Sequence, residues 1–274
     1  MNQLEFAYLK KKIKDYTKFD LDNYGSNQMI RRLNGYLGRI KINTIQQYCQ
    51  LLEKDPQERE RLQNFLTINV SEFFRDMPHF TMLQDQILPP ILKNNLTLNI
   101  WSAGCSNGAE VYSVAIILHR LSPYRTHRVL ATDIDEDILK RAIAGGPYKA
   151  PDLRNIPKEQ VDRYFKTINS EFWIKDYIRQ KVEFKLHDLT RDPFEGDFNL
   201  IICRNVIIYF SEEMKRKLWK KFLDALKDKG FLFIGATETM LDAEDLKFRR
   251  ISPCFYQKIG NTVEKGKTAT LSHK

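Results

Sequence analysis

Four apolar runs in this chain each end on residues that could do chemistry. IWSAGCSNGAEVYSVAIIL (100–118) breaks from an apolar run into small residues (Ala103, Gly104, Ser106, Gly108), then resumes with helical spacing. Small residues let a ligand come close to the main chain. VLATDID places Asp133 29 positions after Gly104. A carboxylate at such a strand tip can accept hydrogen bonds from both hydroxyls of a ribose. The alternative is an N-cap for the helix EDILK, which either Asp133 or Asp135 could serve. HDL (187–189) offers Asp188 as an acceptor for an adenine amino group, with Leu189 beside the ring. CRNVIIYF (203–210) adds Arg204, Asn205 and the aromatic Tyr209. Together these ends describe an adenosine pocket.

NAD and S-adenosylmethionine both carry adenosine. A dinucleotide needs a tight G-x-G-x-x-G turn on its pyrophosphate. GCSNGAE has glycine at its first and fifth positions, a poor match. S-adenosylmethionine has no phosphate and tolerates a looser loop.

The elements that must carry these ends alternate. LTLNIW, HRVLATDID, KVEFKLHD and FNLIICRNV read as strands, and AEVYSVAIILHRL and EDILKRAIAGG as helices. SEEMKRKLWKKFLDALKDKG (211–230) reads as one long helix that Ser211 can cap. GFLFIGAT and RRISPCFYQKI read as two closing strands. Their connection is too short for a crossover helix, so they should pair antiparallel. The expected fold class is α/β, a mostly parallel Rossmann-like sheet covered on both faces, with an antiparallel last strand. A strand folded back in this way is familiar in methyltransferases and not in dehydrogenases. Residues 1–76 read as a small helical domain and 77–260 as the sheet domain. A proline- and aromatic-rich insert at 146–181 suggests a helix and a small antiparallel β excursion. The polar tail 261–274 is expected to be disordered.

The formal charge of +9 is uneven: Lys10 to Lys41 hold nine Lys/Arg against three Asp. In QMIRRLNGYLGRIKI, Met29, Leu33, Tyr36, Leu37 and Ile40 form an apolar stripe, and Arg31, Arg32 and Arg39 fall on another side. Such a face suits an acidic partner, nucleic acid or a membrane surface. Cys49, Cys105, Cys203 and Cys254 form no CxxC pair and have no histidine at a metal-like offset, which argues against zinc and against a secreted disulfide scaffold. No apolar run approaches the ~20 residues of a membrane span. Lysines stand where a signal peptide would need its apolar core, so a cytoplasmic protein is expected.

On TINVSEFFRD (67–76), IWSAGCSNGAEVYS (100–113), ATDIDEDIL (131–139), HDL, CRNVIIYF and GATE (235–238), the chain resembles the CheR family, the chemotaxis receptor glutamate O-methyltransferases. The resemblance runs from about Leu4 to Lys258. It implies S-adenosylmethionine as donor, S-adenosylhomocysteine as product and receptor glutamate carboxylates as acceptors. By motif it implies that Asn69, Ser71 and Arg75 reach the cofactor from ahead of the sheet. Ala103 belongs to the loop beneath the cofactor, and Glu110 and Asp133 hold its methionine and ribose parts. Asp188 and Leu189 frame the adenine, Arg204 and Asn205 complete the pocket, and Arg75 and Tyr209 orient the transferring methyl group. Arg31, Arg32 and Arg39 would meet the acidic methylation helices of receptors. Asn107, Ala109 and Val111 depart from the family's STGEEPYS pattern, while Glu110 is kept. Two rivals stand beside this reading: a nucleic-acid methyltransferase, disfavoured because RNVIIY lacks the prolines of [DN]PPY, and a non-enzymatic binding module. A monomer with no metal, no nucleic-acid partner and no membrane insertion is expected.

Overall fold

A computed structural model describes residues 1–17, 19–67 and 71–260. Asn69 and the tail 261–274 lie outside the described residues.

The chain begins with four helices: α1 (Gln3–Thr17), α2 (Ser26–Arg39), α3 (Ile45–Lys54) and α4 (Pro56–Leu66). Local chemistry sets their ends. Thr44 accepts from Gln47 N at the start of α3. Asp55 caps α4, whose first residue is proline, where the missing N–H costs nothing. The apolar stripe of α2 is buried as its spacing requires, with Met29, Leu33, Tyr36 and Leu37 packed against Phe6, Leu9 and Ile13 of α1 and Tyr48 and Leu52 of α3 in one core.

A helical stretch follows, α5 (Met77–Met82) and α6 (Leu88–Asn94), joined by a π-helical turn. The sheet domain then runs β1 (Asn99–Ala103), α7 (Ala109–Leu121), β2 (Arg128–Asp133), α8 (Glu136–Ala144) and α9 (Lys158–Tyr164). The hairpin β3 (Phe165–Ile168) and β4 (Glu171–Ile174) comes next, then α10 (Asp176–Arg179), β5 (Val182–Leu186), β6 (Phe198–Cys203), α11 (Glu212–Ala225), β7 (Leu226–Ile234), β8 (Phe248–Arg250) and β9 (Phe255–Lys258). The strand order is β5-β2-β1-β6-β7-β9-β8. β5, β2, β1, β6 and β7 are parallel, and β9 runs antiparallel to β7. Order reverses between β1 and β6, the switch point beyond which ligands bind in such sheets. The insert forms the separate antiparallel pair β3–β4, as its composition suggested.

Two boundaries differ from the reading of the sequence. The helix expected to reach Gly230 ends at Ala225, and Leu226 already pairs with Phe198 of β6. The register then slips, so that Phe231 faces Leu200; buried Leu226 holds the strand start and the charged 227–229 stretch bulges out. The last expected strand divides into the hairpin β8–β9 around Ser252–Cys254. Phe73 and Phe74 pack in the core of the sheet domain, not with the helices that precede them.

Candidate functional site

The glycine loop at the tip of β1 is tied down from within. Gly104 N and Cys105 N both donate to Thr132 O, at 2.8 and 2.9 Å, and Ser106 N donates to Asp133 Oδ2 at 2.7 Å. Gly108 N donates to Cys105 O and Ala109 N to Asn107 Oδ1. Gly104 has φ +82°, and a Cβ there would lie 2.6 Å from the Val206 side chain, so a glycine is required on both counts. Five main-chain N–H groups of the loop are thus spent inside the protein and not left to cradle a pyrophosphate. The loop faces carboxylates, which repel phosphate and suit a nucleoside or a cation.

Asp135, not Asp133, is the cap of α8: its Oδ1 accepts from Asp137 N and Ile138 N. Its other oxygen accepts from Thr67 Oγ1 at 2.7 Å. Asp133 accepts one main-chain bond on each oxygen, from Ser106 and Asp135, and lines the cleft. Burial raises its pKa, opposed by those N–H donors. Asp188 closes a turn by accepting from Thr190 N and Oγ1, and lines the cleft beside Leu189.

The segment after β6 is held from two sides. Arg204, 5 % exposed, donates to Glu110 Oε2 at 3.1 Å, to Asp76 Oδ2 at 2.7 Å and to Arg75 O at 3.2 Å. Its guanidinium lies over the rings of Phe80 and Phe233. Burial raises the pKa of Glu110, and Arg204 opposes that shift. On the other side Glu238, from GATE, accepts from the N–H groups of Asn205, Ile207, Ile208 and Gly235. Between these anchors Asn205 takes a left-handed conformation (φ 58°), and Asn205, Val206 and Tyr209 face the cleft. Burial raises the Tyr209 pKa, and the charges of Arg32 and Arg75 lower it.

The helical domain supplies the remaining wall: Phe19, Tyr24, Leu66 and Thr67. Tyr24 sits between Phe19 and Phe210, with ring centroids 5.0 and 4.9 Å away. Gly25 N donates to Tyr209 O at 3.0 Å, and Ser211 N to Asn23 O at 2.8 Å. Sequence reasoning missed these residues and the role of Glu238. FDLDNYG (19–25) follows the first helix without periodicity, and its aromatics were the available signal.

The cleft measures about 690 Å³ including the open space at its mouth, within the usual range for small-ligand sites. Of the expected cofactor residues, Asp133, Asp188, Leu189 and Asn205 line it. Ala103 and Arg204 are buried and Glu110 is half-buried, and none of the three lines it, because the Arg204 guanidinium is directed toward Glu110 and Asp76. Ser71 is half-buried, its carbonyl accepting from Asn107 Nδ2. Arg75 is half-buried, and its charge reaches the Tyr209 hydroxyl. Arg31 and Arg39 are exposed on α2. Arg32, expected on the same basic face, is less exposed than Arg31 and Arg39. It is half-buried and donates to Phe65 O at 2.6 Å, with its guanidinium 4.9 Å from the Phe65 ring and 5.9 Å from the Tyr209 ring. No helix among the described residues is long and apolar enough to cross a membrane, and none of their His, Cys, Asp and Glu side chains group to hold a metal ion. The four cysteines are buried and unpaired.

S-adenosylmethionine fits these residues. The buried Ser106 Oγ on the cleft wall has no protein partner. Two carboxylates meet it with spare lone pairs, aromatic rings form the sides, and no phosphate cradle is open. The sheet order and this wall define an S-adenosylmethionine-dependent methyltransferase carrying an all-helical N-terminal domain. Family profiles agree: "CheR methyltransferase, SAM binding domain" matches residues 69–254, and "CheR methyltransferase, all-alpha domain" matches 4–67. The chain belongs to the CheR methyltransferase family. It is 34 % identical over 255 residues to the chemotaxis protein methyltransferase of Listeria innocua, covering 93 % of this chain and 97 % of that one. The figures for the Listeria monocytogenes protein of the same name are identical. The chemotaxis protein methyltransferase of Borreliella burgdorferi is 32 % identical over 244 residues, with 83 % and 84 % covered.

Proposed function

We propose that this enzyme methylates glutamate side chains of chemotaxis receptors, forming methyl esters. The observation that carries the reading is the cationic approach to the cleft: exposed Arg31 and Arg39 on α2, then Arg32 and Arg75 beside Tyr209 at the wall. An acidic acceptor helix is attracted along this route. The names of the relatives, chemotaxis protein methyltransferases, support the same destination.

A glutamate side chain has a pKa of about 4.3 and is already an anion at neutral pH, so the acceptor needs no general base. The cofactor, when bound, supplies a methyl group already activated on a sulfonium. What remains for the protein is placement and exclusion of water. Asp133 holds the ribose, Asp188 and Leu189 the adenine, and Asn205 the adjoining wall. Arg75 and Tyr209 orient the acceptor carboxylate, with Ser71 near the cofactor from the segment before the sheet. Glu110 and Arg204 keep that segment and the loop after β6 in register through their ion pairs.

The test is transfer of labelled methyl to a receptor cytoplasmic fragment and to the same fragment with its methylatable glutamates replaced by glutamine. Label is expected on the first and absent from the second. Equal labelling of both would sink the reading.

A further inference from the structure

Glu238 stands three residues past a glycine at the end of β7 and is 3 % exposed. Its Oε1 accepts from Ile207 N at 2.9 Å and Ile208 N at 3.2 Å; its Oε2 accepts from Gly235 N at 2.6 Å and Asn205 N at 3.0 Å. A Cβ at Gly235 would lie 2.8 Å from Glu238 Oε2 and 2.9 Å from Asn205 N, so the close approach depends on that glycine. Among the described residues, no ion pair meets this carboxylate. Burial raises its pKa, and the main-chain donors oppose the shift.

A buried anion without a cation is a poor device for stability alone. What it does well is accept four converging N–H groups, which a neutral amide cannot, since one end of an amide is itself a donor. The donors belong to the tips of β6 and β7. The carboxylate therefore welds the two strand ends where Asn205 turns left-handed, Val206 abuts Gly104 and Tyr209 enters the cleft.

We propose that Glu238 is a positioning residue for methyl transfer, acting through the 205–209 segment to set Asn205 and Tyr209 against the acceptor. The proposal rests on the reading of this cleft as the transfer site. It separates Glu238 from a residue that merely stabilises the fold, because its loss should misplace the acceptor side more than it weakens the cofactor.

The experiment compares wild type, Glu238→Gln and Glu238→Asp below the melting temperature of each, measuring kcat on a receptor fragment and Kd for S-adenosylhomocysteine. The expected result is a kcat lowered about tenfold or more in Glu238→Gln, with Kd within about threefold of wild type and partial recovery of kcat in Glu238→Asp. A folded Glu238→Gln protein with kcat within about twofold of wild type overturns the proposal, as does a loss confined to cofactor affinity. If Glu238→Gln does not fold, the Asp variant carries the test: a kcat lowered about threefold or more with Kd within about threefold of wild type is expected, and an unchanged kcat overturns the proposal. A wild-type protein that methylates no receptor fragment instead fails the functional reading. Glu238 is then judged by amide exchange: Ile207 and Ile208 must exchange faster in a variant while Ile100 and Trp101 do not, and unchanged exchange overturns the assignment.

Discussion

Asp133 receives one main-chain hydrogen bond on each oxygen, which fixes the carboxylate and leaves each oxygen room to accept another. Burial raises its pKa above the ordinary aspartate value of about 3.9. The ionised form is the one that can accept from two ribose hydroxyls. Cofactor affinity should therefore fall as pH drops from neutral through the raised pKa, starting at a higher pH than an exposed aspartate would show. In the ligand-free protein the sign is opposite. The raised pKa contributes stability that is present below the unfolded value and lost as pH rises through the folded one. Asp133→Asn should weaken S-adenosylhomocysteine about tenfold, ~1.4 kcal/mol, and flatten the acid limb of Kd against pH in calorimetry. A variant with an unchanged limb would assign that limb to another group. That Asp133 and Asp188 line the cleft was legible in the sequence because strand tips are where such sheets bind. The role of Glu238 was not. Three of its four partners are main-chain groups about thirty residues earlier, and a carboxylate bonded to amides leaves no side-chain partner to find.

Among the elements, α2 separates what periodicity can tell from what it cannot. The apolar stripe was legible, and its residues are buried. The opposite side read as one basic face, yet Arg31 and Arg39 are exposed, Arg39 with its guanidinium 4.9 Å from the Phe65 ring, while Arg32 is half-buried against Phe65 and Tyr209. A helical wheel gives directions, not neighbours, and those rings come from α4 and from the segment after β6. Docking should therefore rest on Arg31 and Arg39, with Arg32 packed against Phe65 and the cleft residue Tyr209. Reversing Arg31 and Arg39 to Glu together should raise KM for a receptor fragment several-fold, more at low ionic strength than at high, with Kd for the cofactor unchanged. An unchanged KM would remove α2 from receptor binding. The misread end of α11 has a similar cause: charged residues with helical spacing continue past Ala225, but Leu226 gains burial by pairing with Phe198.

At the scale of the whole molecule, the helical domain is a wall of the site. Tyr24 sits between Phe19 and Phe210, Gly25 N donates to Tyr209 O, and Thr67 Oγ1 donates to Asp135. The two halves were legible separately, from a change of period near Asn95. Their seam was not, since it is built from non-periodic aromatics and main-chain bonds. The consequence is that the proposed acceptor face and the cleft meet around Tyr209. The central claim, esterification of a receptor carboxylate, is tested most directly by offering the enzyme labelled S-adenosylmethionine with a receptor cytoplasmic fragment and bulk RNA together. The product is then treated with mild base. The prediction is label on the receptor fragment that leaves as volatile methanol. Label that survives base, or that enters the RNA, would contradict it.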